Sequence, residues 1–188
     1  LKRIGLFGGS FDPVHSAHVA LARTALDGLA LDELRWIPAG RPWQKNRVLA
    51  PAEHRAAMVA LAIEGESRFV LDEIELHRAG PSYTLDTVEA LQAQQPSAQW
   101  VLIIGQDQFA ALPSWYGVAK LLERVTLAVA RRAGSPAVTL PGHVQVVDLP
   151  PMPHSSTEVR ARLADGQPVT DLVPSTVASY IDSHRLYR

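Results

Sequence analysis

Apolar residues fall in short uninterrupted runs that alternate with longer stretches where they recur every three or four positions. The short runs have the length of buried parallel strands, and the longer stretches have the period of helices with one apolar stripe. Strands are predicted near Arg3–Phe7, Glu33–Pro38, Phe69–Leu71, Trp100–Gly105, Thr126–Ala130 and Val144–Val147. Helices are predicted over Ala17–Gly28, Pro51–Gly65, Tyr83–Gln94, Trp115–Glu123, Thr157–Ala164 and Pro174–His184. In the second of these, Ala56, Val59, Leu61 and Ile63 form the stripe and Pro51 suits the first turn. Such alternation calls for an α/β, Rossmann-like doubly wound fold, its mainly parallel sheet covered by helices on both faces. No repeat or linker-like break interrupts it, so residues 1–188 read as a single domain. Ser155-Ser156-Thr157-Glu158 fits a capping box that opens the first of two helices after the last strand. Those two helices are expected as a small C-terminal appendage against the sheet edge.

Composition narrows the function more by exclusion than by signal. Apolar residues make up 47% and charged residues 20%, as in ordinary soluble domains. With 18 Lys+Arg against 19 Asp+Glu there is no basic excess, so no nucleic-acid partner is expected. Cysteine is absent, which removes disulfides, thiolate metal sites and cysteine nucleophiles. The apolar runs are strand-sized, too short to span a bilayer, so a cytoplasmic protein without a membrane partner is expected. Oligomeric state leaves no trace in the sequence.

Chemistry concentrates between Ile4 and His18. A buried strand runs into Gly8-Gly9, where missing side chains let a ligand approach the backbone. The loop then enters a helix whose unpaired first-turn amides and positive dipole end favour phosphate. His15 and His18, spaced i, i+3, share one face of that turn, and a neighbouring polyanion would favour their charged forms. Taken singly, Gly-Gly is a turn and the two histidines are surface residues or a metal pair. No third ligand recurs nearby at metal-binding spacing, and no metal site is expected.

The segment Gly8-Gly-Ser-Phe-Asp-Pro-Val-His-Ser-Ala-His18 resembles the signature of the HxGH nucleotidyltransferase superfamily, with Ser10 in place of Thr and Ala17 in place of Gly. Further segments resemble bacterial nicotinate-nucleotide adenylyltransferases: Arg41-Pro-Trp-Gln-Lys45, where Gln44 replaces His, and Gly80-Pro-Ser-Tyr-Thr84. Gly105-Gln-Asp107, Leu112-Pro-Ser-Trp-Tyr116, and Ser155-Ser-Thr-Glu-Val-Arg160 with His154 in an apolar slot extend the likeness. Val173-Pro174, Tyr180-Ile181 and Leu186-Tyr187 carry it to the C-terminus. Pantetheine-phosphate adenylyltransferases share the histidine loop, but the Pro-Ser-Tyr-Thr, Trp-Tyr and Leu-Tyr segments favour the nucleotide enzymes. A non-catalytic nucleotide sensor would not need His15, His18, Lys45 and Arg160 together, and a redox Rossmann enzyme would need a G-x-G-x-x-G absent here.

The resemblance implies transfer of the adenylyl group of ATP to nicotinic acid mononucleotide, with Mg²⁺ carried by ATP. It implies catalytic His15, His18 and Arg160, and ATP contacts from Gly8, Gly9, Ser10, Phe11, Gly105, Asp107, Ser155 and Ser156. Asp107 would accept ribose hydroxyls. Lys45, Ser82, Tyr83, Thr84, Trp115 and Tyr116 would bind the mononucleotide: Lys45 its phosphate, Trp115 its pyridinium ring, and the amides near Tyr83 and Thr84 its carboxylate.

Overall fold

The computed structural model describes residues 1–41, 46–135 and 143–188. Among these residues six parallel strands form one sheet: β1 (Arg3–Gly9), β2 (Glu33–Pro38), β3 (Phe69–Leu71), β4 (Gln99–Gly105), β5 (Thr126–Arg132) and β6 (Gln145–Leu149). Their order, β3-β2-β1-β4-β5-β6, reverses direction between β1 and β4. In open parallel sheets the crevice beyond the strand ends at such a reversal is where ligands bind.

Side chains alternate across the sheet with period two. Ile4, Leu6, Trp100, Leu102 and Ile104 pack on one face with Leu85, Val88 and Leu91 of α3 (Thr84–Gln94) and Leu121 of α5 (Val118–Arg124). Phe7, Trp36, Val101 and Ile103 pack on the other, beneath α1 (Ser16–Gly28) and α2 (Ala52–Ala62). The C-terminal helices α6 (Ser156–Ala164) and α7 (Ser175–Ser183) do not cap the sheet edge. Val159, Val177 and Ile181 are buried in the same cluster as α1 and α2, so these helices complete one face of the core.

The helices differ most from the sequence reading between β4 and β5. The helix predicted over Trp115–Glu123 begins at Val118, because Gly117 is left-handed at φ 62° and Trp115 is extended. Before it, β4 runs into an unforeseen short helix α4 (Gln106–Ala111) and one 3₁₀ turn, Leu112–Ser114. Among the described residues no helix is long and apolar enough to cross a membrane.

Candidate nucleotide-transfer site

Two hollows open at the carboxyl end of the sheet around the β1/β4 reversal. In the first, Gly8, Gly9 and Ser10 face Ser82, Tyr83, Thr84, Trp115 and Tyr116, with Glu75, Thr87 and Gln108 completing the wall. The second is smaller and holds His15, Ala17 and His18 against Arg132, Leu149, Pro150 and Met152.

His15 is the N-cap of α1, and its geometry fixes both rings. The His15 amide donates to His18 Nδ1 at 3.0 Å, and the His18 amide donates to His15 Nδ1 at 3.4 Å. This is a capping box in which each imidazole satisfies the other's backbone. The rings stack with centroids 3.7 Å apart, and His18 also meets the edge of Phe11 at 5.1 Å. A nitrogen that accepts carries no proton, so both rings are neutral with the proton on Nε2. Burial drives the same way. It holds His15 down to about 4, helped by His154 and Arg132, and depresses His18 well below 6.5, helped by His15 and Arg132. In the free protein the pair thus presents two neutral Nε2 donors, whereas the charged forms expected from the sequence are those beside a bound polyanion.

Phe11, expected among the ATP contacts, is 2% exposed and its ring packs against Phe7 and Trp36 as a floor under His18, which leaves its backbone for any ligand. Gly8 is exposed, and a Cβ there would meet only the Ile37 carbonyl oxygen at an ordinary 3.8 Å, whereas a Cβ on Gly9 would press on the Phe11 ring at 3.3 Å. Gly8 is thus the open approach.

Serine and arginine side chains on α6 are engaged within the protein. Ser155 caps the helix by accepting from the Glu158 amide, but Glu158 turns to Arg162 at 2.7 Å, so only half of the expected capping box forms. Ser156 Oγ donates to the Pro13 carbonyl at 2.9 Å, and Arg160 donates to the Asp12 carbonyl at 2.7 Å and to Thr157 Oγ1. These bonds pin the start of α6 beside the His15 loop. Gly105 ends β4, and Asp107 is exposed in the first turn of α4.

In the first hollow Ser82 is pinned to Arg41 by bonds in both directions, and Tyr83 is the N-cap of α3. Among the described residues no side chain caps the first-turn amides of that helix, which start at Thr84. The Tyr83 and Tyr116 rings stack at 4.7 Å, and Trp115 Nε1 is buried without a hydrogen-bond partner among the described residues. Lys45 lies outside the described residues.

Arg132, Met152, Glu75, Thr87 and Gln108 were not foreseen. Arg132 ends β5, and position at the carboxyl end of a parallel strand was the signal that could have found it. Arg55 is 2% exposed although it stands on α2. Its guanidinium donates to the carbonyls of Ser10, Ala39 and Ala50, tying the loops after β1 and β2 together. Among the described residues no group of three or more His, Asp or Glu side chains is placed to hold a metal ion.

Known proteins resemble this chain in sequence and in fold. A cytidylyltransferase-like family model matches residues 6–162. A Methylibium petroleiphilum protein named "Probable nicotinate-nucleotide adenylyltransferase" is 51% identical, over 99% of this chain and 92% of its own. A Bordetella petrii protein of the same name is 46% identical over 100% of both chains. The solved Plasmodium falciparum nicotinic acid mononucleotide adenylyltransferase in complex with NaAD superposes with a TM-score of 0.83 at 20% identity, covering 100% of this chain and 98% of that one, a likeness of fold. The chain belongs to the nicotinate-nucleotide adenylyltransferase family, within the cytidylyltransferase-like proteins.

Proposed function

We propose that this protein transfers the adenylyl group of ATP to nicotinic acid mononucleotide, giving nicotinic acid adenine dinucleotide and pyrophosphate. The observation that carries the reading is the pair of neutral Nε2 donors at the start of α1, set beside the first hollow, which ends on α3 amides that no side chain caps among the described residues. The names of the relatives support the choice of substrates.

The chemistry asks little covalent work of the protein. The acceptor's phosphate monoester has a second pKa near 6, so it is already an anionic nucleophile at neutral pH. One of its oxygens attacks the α-phosphorus of ATP in line, the bond to the β-phosphoryl oxygen breaks, and pyrophosphate leaves with the electron pair. No covalent enzyme intermediate and no general base is required. What remains is to hold two anions in line and to stabilise charge moving onto the leaving group.

His15 and His18 do this with hydrogen bonds to the ATP phosphates, and being neutral they need no proton uptake first. Arg132 adds a guanidinium to the same hollow, and Arg160 and the start of α6 bind the triphosphate after Arg160 exchanges its carbonyl partner for phosphate. Mg²⁺ arrives on ATP as part of the substrate. Asp107 accepts the ribose hydroxyls, Lys45 meets the mononucleotide phosphate, and the amides at Thr84 face the nicotinate carboxylate while Trp115 lies along its ring.

The test is direct: pyrophosphate release from ATP and Mg²⁺ with nicotinic acid mononucleotide, its amide counterpart, or pantetheine phosphate. Preference for the acid over the amide by kcat/KM on the order of tenfold or more is expected, because donors built for a carboxylate penalise a group that cannot accept them all. Comparable values for acid and amide, or turnover of pantetheine phosphate alone, would overturn the reading.

A further inference from the structure

Asp12 is the most heavily held residue of the loop before α1. Its side chain is wholly buried, and three donors from two distant parts of the chain converge on it. The Tyr187 hydroxyl donates to Oδ1 at 2.6 Å, the Ala50 amide donates to the same oxygen at 3.1 Å, and the Arg47 guanidinium pairs with Oδ2. The Asp12 carbonyl takes the bond from Arg160 already described. Burial alone would raise this carboxyl, but the bonds from Tyr187, Arg47 and the Ala50 amide outweigh it and hold the group below its ordinary value as a carboxylate. Asp12 stands three positions before the N-cap His15, so whatever fixes it fixes the entry of α1.

Tyr187 reaches Asp12 from next to the end of the chain, in a tail where Arg185 and Tyr187 both have left-handed backbones at φ 50° and 63°. Non-glycine residues adopt that conformation at a cost, and two in so short a span persist only when their surroundings fix them. The ring of Tyr187 packs on the apolar cluster shared by α1, α2, α6 and α7, which anchors the tail. Packing needs only the ring. The hydroxyl is a separate feature, and it bonds to the carboxylate of the histidine loop.

We propose that Tyr187 is a positioning residue for adenylyl transfer: through the Asp12 carboxylate, its hydroxyl sets the loop that aims the His15–His18 pair at ATP. This rests on the function proposed above. Without the phenol, Asp12 Oδ1 keeps, among the described donors, only the Ala50 amide inside a buried site, and the loop relaxes toward other partners. Displacement of reacting groups by about an ångström is enough to cost on the order of a hundredfold in rate, so a partial shift costs less.

The experiment compares wild type with Y187F, which keeps the packed ring, and with D12N and the double variant. Steady-state kcat and KM for ATP and nicotinic acid mononucleotide are measured beside thermal melting and the ¹⁵N signals of the His15 and His18 rings. For Y187F kcat is expected to fall roughly five- to twentyfold with KM for either substrate changed less than about twofold. Both imidazole signals are expected to shift, and the double variant should lose no more than the worse single one. A Y187F protein that melts lower but retains kcat within about twofold would show a packing role only and overturn the proposal, as would additive losses in the double variant. If wild type itself fails to adenylate the mononucleotide, the function reading falls. The loop claim is then decided by the ring signals, and unshifted His15 and His18 in Y187F overturn it.

Discussion

His15 and His18 cap each other: each ring's Nδ1 accepts the other's backbone N–H, which leaves each ring a single outward donor, Nε2. One side chain thus has two separable tasks: it closes the first turn of α1, and by the proposed function it donates to phosphate. Asparagine places a polar atom where Nδ1 stands, and glutamine places its amide nitrogen where Nε2 stands. His18→Asn is therefore expected to melt within about 2 °C of wild type yet lose roughly a hundredfold or more in kcat/KM. His18→Gln is expected to melt about 2–4 °C lower, the loss of a helix cap in a chain of this size, while retaining far more activity. Equal activity losses in the two variants would place the role of His18 in the fold.

Neutral buried imidazoles make the free protein sensitive to acid. In the unfolded chain a histidine takes up its proton near 6.5, whereas folded His15 resists until about 4 and His18 is held down in the same direction. Between those values the unfolded state binds more protons, so stability falls as pH falls. For His15 alone the loss from pH 6.5 to 4 is roughly 3 kcal/mol. Asp12 adds to it only below its ordinary value of 3.8, outside that window. Urea midpoints of wild type and His15→Gln, taken from pH 7 to 4, should converge as the solution becomes more acidic. A constant gap would mean that His15 takes up its proton as readily in the fold as in the unfolded chain.

Much of this was legible in the sequence, and the failures have physical causes. All six strands lie where short apolar runs stand, and the central ones are clearest because a strand buried on both faces has no polar alternation to confuse it. Helix α4, Gln106–Ala111, left no readable trace because six residues with Phe109 as their one large apolar side chain carry no periodic signal. The start of α5 was misplaced because the left-handed Gly117 interrupts what looks like a continuous helical pattern. Gly8-Gly9 and the two histidines were legible as a candidate site, since neighbours in sequence make it. Their protonation was not, since it depends on burial. The partners of Asp12 were hidden altogether: Tyr187 lies 175 positions away, and nothing local marks it.

Gly40 follows β2 where the chain passes close to Glu75. A Cβ there would stand 2.3 Å from the Glu75 carbonyl oxygen, and two backbones cannot both yield as a side chain can. Gly40→Ala is expected to cost about 1–3 kcal/mol, read as a fall in melting temperature of several degrees. Ala39 and Glu75 both line the hollow assigned to the mononucleotide. KM for nicotinic acid mononucleotide should therefore rise by more than KM for ATP. A selective rise for ATP would exchange the two assignments.

Glu75 places a carboxyl in the wall of the hollow that is proposed to receive another carboxylate. It is buried, accepts the Thr87 hydroxyl at 2.8 Å, and Thr87 in turn accepts from Arg78 at 2.8 Å. Burial raises it above its ordinary 4.5, against the Thr87 bond and the charge of Arg78 and with the charge of Asp72. A carboxyl raised in the fold gives stability that is complete below its unfolded value and declines as pH rises through the folded one. Glu75→Gln retains the acceptor for Thr87 and cannot ionise, so its stability relative to wild type should grow from pH 4 upward. It should also lower KM for nicotinic acid mononucleotide above the pH at which folded wild-type Glu75 ionises, where its charge stands beside the incoming nicotinate, and leave KM unchanged below it. A KM ratio between variant and wild type that stays constant from pH 5 to 9 would mean that this carboxyl never faces the substrate's charge.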